Sequence, residues 1–515
     1  MNETKSTPLP LSGAPLTIAE VVAVARGRRA VELTEAARQS LRAARAVVEE
    51  TIDAGRVIYG LNTGFGSLSR QRVEPAGIRD LQRNLIRSHC AGVGEPLPEE
   101  IVRAMMLILA ASLSRGHSGV RVELVELIVG ALNRGVTPQV PERGSVGASG
   151  DLAPLAHIAA ALMGEGEAAY EGVVGTGAEA LQRAGLRPLP LDAKEGLALI
   201  NGTHLMTALA ALTISDLGNV FDAALAASAL SLDACLATDA FLDPRLHEVR
   251  NQPGQREVAR RLRRLIEGSE IVRSHRDDDP RVQDPYSLRC TPQVLGAALD
   301  ALGHSTAVVE QELGGVTDNP LVFPVEPADW VEGRIISGGN FHGMPLALAL
   351  DLLGIATAYI AGISERRLYF LLAASDEQNP INPYLSPQPG LHSGLMIAQY
   401  TAAACCNEIQ TLSTPASVAN IPTSAGMGDY NSFGPNAGFQ ARRAVDLALH
   451  VVAIELLCSS EALEYHRPRR SGVGVERTFE AVRRVVPRLS EDRPISGDIS
   501  RICALISQGE FVTLE

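Results

Sequence analysis

Apolar residues recur at steps of three and four along most of the chain, which is the period of an amphipathic α-helix. Thr17 and Thr34 precede the first two such segments and are of a residue type that caps helix N-termini. The pattern predicts shorter helices over residues 18–26, 36–54, 78–90, 98–114 and 120–134. It predicts longer, Ala- and Leu-rich helices near residues 205–237, 254–268, 291–314, 342–374, 390–417 and 437–465. Strand signals are few and short, as at residues 333–337.

Two segments interrupt the helical period. Residues 59–69 contain three glycines and an Asn-Thr pair, which favour a mobile loop, and residues 135–150 contain two prolines and four glycines. We therefore predict a mainly α fold, with a small N-terminal domain and a large bundle of long helices. The predicted divisions are a flexible tail at 1–15, an N-terminal domain at 16–115 that carries the mobile loop, and a region at 116–515 that carries the second interruption and the helical bundle.

The charge balance bears on possible partners. The 515 residues include 46 basic and 59 acidic ones, and the net charge of −13 repels a phosphate backbone. Nucleic acid is therefore not an expected partner. The arginine-rich segment 256–264 is expected to be the solvated face of a helix.

Neither export nor membrane insertion is indicated. The first fourteen residues have no basic flank leading into an apolar stretch. The most apolar windows, 346–363 and 205–236, carry acidic residues and are expected to be buried bundle helices instead of membrane spans. The seven cysteines are scattered and lack metal-ligand spacing, which indicates reduced thiols. We expect a cytoplasmic protein without a metal site.

The glycine-rich segment at residues 144–156 is the first candidate for chemistry. As a phosphate cradle it lacks the Lys-Ser/Thr ending and the preceding strand of a P-loop. As a nucleophile elbow it has Gly147 and Ser149, but Asp151 stands where the closing glycine belongs. The segment could also be an ordinary glycine-rich turn.

A further interpretation is cyclisation of Ala148-Ser149-Gly150 to a methylidene-imidazolone. Attack of the Gly150 amide nitrogen on the Ala148 carbonyl carbon, with loss of two waters, would make an electrophilic ring. The residue types suit this step, because Gly150 has no side chain to block its nitrogen and Ala148 is small. The Ser149 hydroxyl would leave to create the exocyclic double bond.

Six motifs in order along nearly the whole chain resemble the aromatic amino acid ammonia-lyases and aminomutases. They are Tyr59-Gly-Leu-Asn-Thr-Gly-Phe-Gly, Gly144-Ser-Val-Gly-Ala-Ser-Gly-Asp-Leu-Ala-Pro-Leu-Ala-His157, Glu195-Gly-Leu-Ala-Leu-Ile-Asn201-Gly-Thr, Gln283-Asp-Pro-Tyr286-Ser-Leu-Arg289-Cys, Thr317-Asp-Asn-Pro and Ser337-Gly-Gly-Asn-Phe341-His. The resemblance is strongest to the members that act on histidine. It implies elimination of ammonia from L-histidine to give urocanate.

The resemblance also implies roles for individual residues. Tyr59 would take the β-proton, Asn201 would support the ring and substrate, and Arg289 would hold the substrate carboxylate. A guanidinium suits that last task, because its planar fork donates two hydrogen bonds to a carboxylate. The residues that would line the pocket are Tyr286, Gln283 and Phe341.

The implied cofactor is the ring itself, 4-methylidene-imidazol-5-one (MIO), formed from Ala148-Ser149-Gly150, with no metal required. Pyridoxal phosphate is not expected, because Lys5 and Lys194 are the only lysines and neither is a good Schiff-base candidate. The family further implies a homotetramer in which different subunits share each active site. The partner it implies is a small aromatic amino acid substrate.

Substrate preference is indicated by the pair Ser88-His89. The histidine enzymes of the family have Ser-His here, whereas the tyrosine- and phenylalanine-selective enzymes have His-Leu or Phe-Leu. An imidazole at position 89 can exchange a hydrogen bond with a substrate imidazole, and a site built for that bond penalises an apolar ring. We therefore expect His89 to contact substrate.

Two positions depart from the histidine enzymes. Gly428 stands where they have a glutamate that acts as acid/base or substrate contact, and His204 stands where they usually have glutamine. His204 is a candidate to compensate in the pocket. The departures leave open an aminomutase that makes a β-amino acid, a lyase for tyrosine or phenylalanine, and a binding protein that keeps the fold without the ring.

Overall fold

The computed structural model describes residues 7–64, 66, 70–277, 279, 281–325, 334–377 and 379–512. Its shorter α-helices in the first part of the chain are α1 (Ile18–Ala25), α2 (Glu35–Asp53), α3 (Ile78–His89), α4 (Glu99–Ser114), α5 (Val122–Arg134), α6 (Leu152–Leu162), α7 (Gly177–Arg183) and α8 (Glu195–Ile200). The remaining helices of the described residues are α9 (His204–Ala234), α10 (Pro244–Arg250), α11 (Pro253–Leu265), α12 (Glu270–Ser274), α13 (Tyr286–Arg289), α14 (Thr291–Leu313), α15 (Met344–Ala373), α16 (Met396–Leu412), α17 (Gly434–Leu463), α18 (Val473–Val485) and α19 (Ser496–Ser507). The predicted mainly α fold is confirmed.

The predicted helix starts match the caps that form. The Thr17 hydroxyl accepts a hydrogen bond from the Glu20 amide, and the Glu20 carboxylate accepts one from the Thr17 amide, while the Thr34 hydroxyl accepts from the Ala37 amide. One predicted helix, 390–417, is too long, since α16 runs only over Met396–Leu412. It ends before Thr414, because a residue that precedes a proline is disfavoured in the α conformation.

The strands of the described residues are short and form four small sheets. Their bounds are β1 (Leu9–Leu11), β2 (Val31–Leu33), β3 (Val93–Pro96), β4 (Thr137–Pro138), β5 (Pro141–Arg143), β6 (Glu167–Tyr170), β7 (Val173–Thr176), β8 (Leu321–Val322) and β9 (Ile335–Ile336). β1 pairs with β2 in parallel. The pairs β3–β5, β4–β6, β6–β7 and β8–β9 are antiparallel.

Strand β1 corrects the predicted flexible tail. Leu9 and Leu11 are each 2% exposed, and Leu9 pairs with Val31 of β2. Residues 9–11 are therefore a strand in the core and not a flexible segment, because burial of two leucines holds them there. Residues 1–6 of that predicted tail lie outside the described residues.

The chain divides into two compact units, each built from separate stretches of sequence. The first unit comprises residues 1–212, 306–350 and 416–439, and the second comprises residues 213–305, 351–415 and 440–515. The domain boundaries predicted from the sequence, after residues 15 and 115, stay a prediction.

The first unit is centred on α4, whose residues from Ile101 to Ser114 are buried. Helices α1, α2 and α5 pack against it. The buried Arg103 guanidinium donates to the carbonyl oxygens of Val24, Ala25 and Leu132. These carbonyls lie in the last turns of α1 and α5, where a cation is favourable.

The second unit has an ion pair in its core. Arg367 Nε lies 2.5 Å from Glu455 Oε1, and both side chains are fully buried. Ser231 Oγ donates to Glu455 at 2.7 Å, and Ser364 also donates to it. These donors compensate for the loss of water around the carboxylate.

Two helices, α9 and α15, are long and apolar enough to cross a membrane. Most of their apolar windows are buried within the protein, at 72% and 67% respectively. They are therefore bundle helices by packing, as the sequence predicts.

Candidate active site

The Ala148-Ser149-Gly150 segment is a tight turn whose downstream end lies against Gly202. Gly150 has φ +75°, and the Asp151 amide donates to Gly202 O at 2.7 Å. A Cβ atom at Gly150 would lie 2.3 Å from that same oxygen. Only glycine fits there, because both the positive φ and the close backbone approach exclude a side chain.

The upstream end of the turn is also fixed. The Gly147 carbonyl accepts from the Gly343 amide at 3.1 Å and from Ser432 Oγ at 2.7 Å. The Val146 carbonyl accepts from the Phe433 amide at 2.9 Å. The Gly150 nitrogen, by contrast, makes no hydrogen bond within the described part of the chain.

Asp151 follows the turn and is completely buried. Its carboxyl group accepts from Ser145 Oγ at 2.8 Å and from the amides of Leu205 and Met206 at 2.9 and 3.1 Å. Burial raises the pKa of the Asp151 carboxyl to about 7, although these donors oppose the rise. Asp151 thus ties the turn to the first residues of α9.

Asn201 lies directly after α8, next to the turn. Ser149 Oγ donates to Asn201 Oδ1 at 3.3 Å, and Asn201 Nδ2 donates to Asn319 O at 3.0 Å. Asn319 Oδ1 in turn accepts from the Gly338 amide at 2.7 Å. Asn201 therefore connects the turn with the segment that leads to Phe341.

Tyr59 lies in the same unit and is positioned through Gln82. Gln82 Nε2 donates to Gly60 O at 3.4 Å, and Gln82 Oε1 accepts from the amide of Gly196 in α8 at 2.9 Å. The Gly66 amide donates a hydrogen bond to Tyr59 Oη at 3.3 Å. Four residues of the predicted mobile loop, 65 and 67–69, lie outside the described residues.

His89 is the last residue of α3 and has a defined tautomer. Its Nδ1 lies 2.8 Å from Leu85 O, and because a carbonyl only accepts, Nδ1 carries the proton. Nε2 is then an acceptor, with no hydrogen-bond partner among the residues the structure describes. Burial lowers the pKa of His89, which favours this neutral form.

His204 is buried, at 3% exposure, and its ring packs against the Gly202 peptide. Neither ring nitrogen makes a hydrogen bond of normal geometry with the described residues. Burial, and secondarily the charge of Arg115, lower the pKa of His204 to about 4. The side chain is therefore neutral near pH 7.

Gly428 lies in a closed loop with Thr423. The Thr423 amide donates to Gly428 O at 2.8 Å, and the Gly428 amide donates to Thr423 O at 3.2 Å. A Cβ atom at Gly428 would lie 2.5 Å from Thr423 Oγ1. A glutamate at this position would require Thr423 to move, which gives a steric reason for the glycine.

The second unit brings Gln283, Tyr286 and Arg289 together at α13. Arg289 Nη2 donates to Gln283 Oε1 at 2.8 Å, and its guanidinium lies 4.7 Å from the centre of the Tyr286 ring. Within the described residues, no carboxylate pairs with Arg289. Tyr286 is 71% exposed.

Lys194 is buried within the first unit. Its ammonium lies 2.6 Å from Asp318 Oδ2, and the side chain is fully buried. Across the residues placed by the structure, no group of three or more His, Cys, Asp or Glu side chains could hold a metal ion. A cavity of about 710 Å³ in the second unit, lined mainly by arginine and acidic side chains, contains none of the predicted site residues.

The structure adds residues that the sequence did not single out. Ser432, Gly343 and Phe433 contact the turn through hydrogen bonds from segments remote in the sequence. No local pattern marks them. Asp151, by contrast, lies inside the motif at residues 144–157, and this position indicates a structural role.

The comparisons with known proteins agree with one another. Residues 16–484 match the model of the aromatic amino acid lyase family. The histidine ammonia-lyase of Symbiobacterium thermophilum is 48% identical over 500 residues, which cover 97% of each chain. The crystal structure of histidine ammonia-lyase from Trypanosoma cruzi has a TM-score of 0.90 at 36% identity and covers 99% of this chain and 95% of that one. The tyrosine aminomutase of Streptomyces globisporus has a TM-score of 0.90 at 33% identity and covers 99% and 98%.

Proposed function

The chain belongs to the aromatic amino acid lyase family and is a carbon–nitrogen lyase, and we propose that it eliminates ammonia from L-histidine to give urocanate. Identity of 48% to a histidine ammonia-lyase over 97% of both chains supports this substrate. The observation that carries the proposal is the fixed turn at Ala148-Ser149-Gly150, with Asn201 at the Ser149 hydroxyl.

The proposed cofactor is the MIO ring formed from that turn, with neither pyridoxal phosphate nor a metal. Three features fit it. The Gly150 nitrogen makes no hydrogen bond with any residue that the structure describes, position 150 admits only glycine, and the residues on both sides of the tripeptide are held by other segments. The ring supplies an electrophile for the substrate amine. Lys194 is unsuited to form a Schiff base, because its ammonium is buried against Asp318.

The chain's own residues account for orientation and proton transfer. Tyr59 removes the β-proton, and the Gly66 amide donates a hydrogen bond to the tyrosine oxygen that accepts this proton. Arg289 binds the substrate carboxylate, and its contacts with Gln283 and Tyr286 orient the guanidinium. Asn201 and Phe341 complete the substrate surroundings in this proposal.

Selection of histidine is assigned to His89. Its Nε2 accepts a hydrogen bond from an imidazole N–H of the substrate, because Nδ1–H is already used by Leu85 O. A phenylalanine ring has no donor to offer there, so its binding leaves the acceptor unpaired. His204, whose ring is buried against Gly202, would affect the substrate only through that backbone.

An aminomutase is the second candidate, and Gly428 is the observation that favours it. An acidic side chain at position 428, as in the histidine enzymes, would require Thr423 to move. The tyrosine aminomutase of Streptomyces globisporus shares the fold at 33% identity. An aminomutase would return ammonia to the β-carbon and yield a β-amino acid, whereas a lyase for tyrosine or phenylalanine would release the corresponding acrylate.

We also propose a cytoplasmic homotetramer with active sites shared between subunits. Large apolar side chains are exposed on α15 and α16, where a second copy could bury them; they are Leu348, Tyr359, Tyr369, Ile397 and Tyr400. The exposed Tyr286 beside Arg289 fits a site completed on assembly.

A substrate panel tests the proposed function. Purified protein is incubated separately with L-histidine, L-tyrosine and L-phenylalanine, and the acrylate absorbance, free ammonia and β-amino acid are measured. Equal amounts of urocanate and ammonia from histidine are expected, and Ser149→Ala should abolish both. A β-amino acid without free ammonia would favour the aminomutase, and activity on tyrosine or phenylalanine alone would overturn the histidine assignment.

A further inference from the structure

We propose that Ser432 is a positioning residue for formation of the ring: its hydroxyl fixes the Gly147 carbonyl and so holds the peptide that precedes Ala148 in the geometry from which the tripeptide closes. The inference rests on the proposed function, because it assumes that Ala148-Ser149-Gly150 cyclises. Ser432 itself touches neither substrate nor the reacting atoms.

The hydroxyl of Ser432 has a defined direction. Its oxygen accepts from the Gly434 amide at 3.2 Å, and it donates its hydrogen to Gly147 O at 2.7 Å. The Gly343 amide donates to the same carbonyl at 3.1 Å. Two donors from different segments therefore set the plane of the peptide between Gly147 and Ala148.

The backbone around Ser432 is held in a strained conformation. Phe433 has φ +51°, which is unfavourable for a bulky side chain, and its amide donates to Val146 O at 2.9 Å. Ser432 and Phe433 thus donate hydrogen bonds to two successive carbonyls, those of Gly147 and Val146. Strain of this kind persists only where the surrounding contacts impose it.

Met206 packs the same place closely. A Cβ atom on Gly147 would lie 3.1 Å from the Met206 sulfur, and one on Gly343 or Gly434 would lie 2.5 or 2.3 Å from it. Three segments therefore pack against this thioether through glycines, which have no side chain to displace it. Such packing leaves the Gly147 peptide little room to rotate away from Ser432.

Cyclisation needs both ends of the tripeptide to be anchored. The Gly150 nitrogen forms a bond to the Ala148 carbonyl carbon, and the carbonyl oxygen leaves as one water with the amide hydrogens of Gly150 and Ser149. A double bond between the Ala148 carbon and the Ser149 nitrogen replaces the carbonyl. Ser149 then loses its hydroxyl and its α-hydrogen as the second water, which creates the double bond, so no oxidant is required. The Asp151 amide on Gly202 O anchors the downstream end, and Ser432 anchors the upstream end.

The test compares Ser432→Ala with a matched serine elsewhere. Ser228 is fully buried in α9, where its hydroxyl donates to Ala224 O at 2.6 Å. Ser228→Ala therefore removes a buried hydroxyl at a position distant in sequence from the tripeptide. Each protein is made by cell-free synthesis, and the fraction with a two-water mass deficit is followed by intact mass spectrometry. Melting temperatures are measured in parallel.

Ring formation in Ser432→Ala should be about tenfold slower than in the parent, as expected for loss of one hydrogen bond of ordinary net strength. Ser228→Ala should form the ring at the parental rate. Equal rates in Ser432→Ala and the parent would overturn the proposal. If Ser432→Ala is insoluble, Ser432→Cys is used, which keeps the volume but donates weakly; a parental rate in that variant overturns the proposal and a slower one supports it.

The two proposals fail in different ways. A parent that shows the mass deficit but releases no ammonia from histidine contradicts the substrate, while the Ser432 comparison still stands. A parent without any mass deficit overturns both the ring and the role of Ser432.

Discussion

Ser149 Oγ donates a hydrogen bond to Asn201 Oδ1 across 3.3 Å. The hydroxyl that must leave in the proposed cyclisation is therefore held by the residue that the family resemblance assigns to ring support. Asn201 is fixed in turn, because its Nδ2 donates to Asn319 O at 3.0 Å. The oxygen of the Asn201 side-chain amide thus accepts from the tripeptide, and its nitrogen donates to the scaffold.

Asn201→Asp is predicted to lower kcat by roughly 100-fold, the order of loss when a mutation displaces an active-site group by about 1 Å. The substitution keeps the shape but replaces Nδ2 with an oxygen, which faces the Asn319 carbonyl without a hydrogen. Steady-state kinetics on histidine measure the effect, and intact mass shows whether the ring still forms. An unchanged kcat would contradict the role of Asn201.

His89→Leu is predicted to reduce kcat/KM for histidine by about 10- to 100-fold, the cost of one well-placed hydrogen bond to substrate. The ratio of phenylalanine to histidine turnover should rise, because the acceptor that phenylalanine leaves unpaired disappears. Ser88→Ala is the control, since it leaves the bond between His89 Nδ1 and Leu85 O in place and should have a smaller effect. Equal loss for histidine and phenylalanine would argue against selection by His89.

Gly428→Ala is predicted to lower the melting temperature, because the added Cβ meets Thr423 Oγ1 at 2.5 Å. Overpacking of this kind costs about 1–3 kcal/mol. Adding Thr423→Ala should recover most of the loss, and Thr423→Ala alone supplies the control for a double-mutant cycle. Independent, additive effects of the two substitutions would show that this contact does not exclude a side chain at position 428.

The acid stability of the protein should depend on His204. Its pKa is about 4 in the fold, against 6.5 for an ordinary histidine, so below pH 6.5 the unfolded chain binds a proton that the folded chain does not. Stability from this residue is therefore lost as the pH falls from 6.5 towards 4. Asp151 acts oppositely: its raised pKa, about 7, adds stability as the pH falls through 7 towards 3.8.

His204→Gln removes the first contribution and keeps the second. The melting temperature of His204→Gln minus that of the parent should therefore increase steadily as the pH is lowered from 6.5 to 4. Thermal unfolding across this range measures the difference. A difference that does not change with pH would mean that His204 is not buried as a neutral ring.

Much of the fold could be predicted from the sequence, because one-sided burial of each helix leaves a period in its apolar residues. The caps at Thr17 and Thr34 are local and were equally visible. The strand at Leu9–Leu11 was not predicted, since three residues are too few for a pattern and its burial depends on pairing with β2.

The candidate site was predicted only where its residues stand in motifs. Ser432 lies 285 positions from Gly147, and nothing in its local sequence indicates that its hydroxyl reaches that carbonyl. The crowding of Gly428 by Thr423 likewise depends on the path of the backbone. Such contacts arise from tertiary packing between distant segments, which leaves no periodic pattern in a single sequence.

The central claim, that elimination from histidine depends on a ring at residues 148–150, is tested most directly by one peptide mass. Protein that is active on histidine is digested, and the peptide that contains Ala148-Ser149-Gly150 is analysed by tandem mass spectrometry. The account predicts a deficit of two waters localised to these three residues, absent in Ser149→Ala together with the activity. A full-mass peptide from protein that releases ammonia from histidine would contradict it.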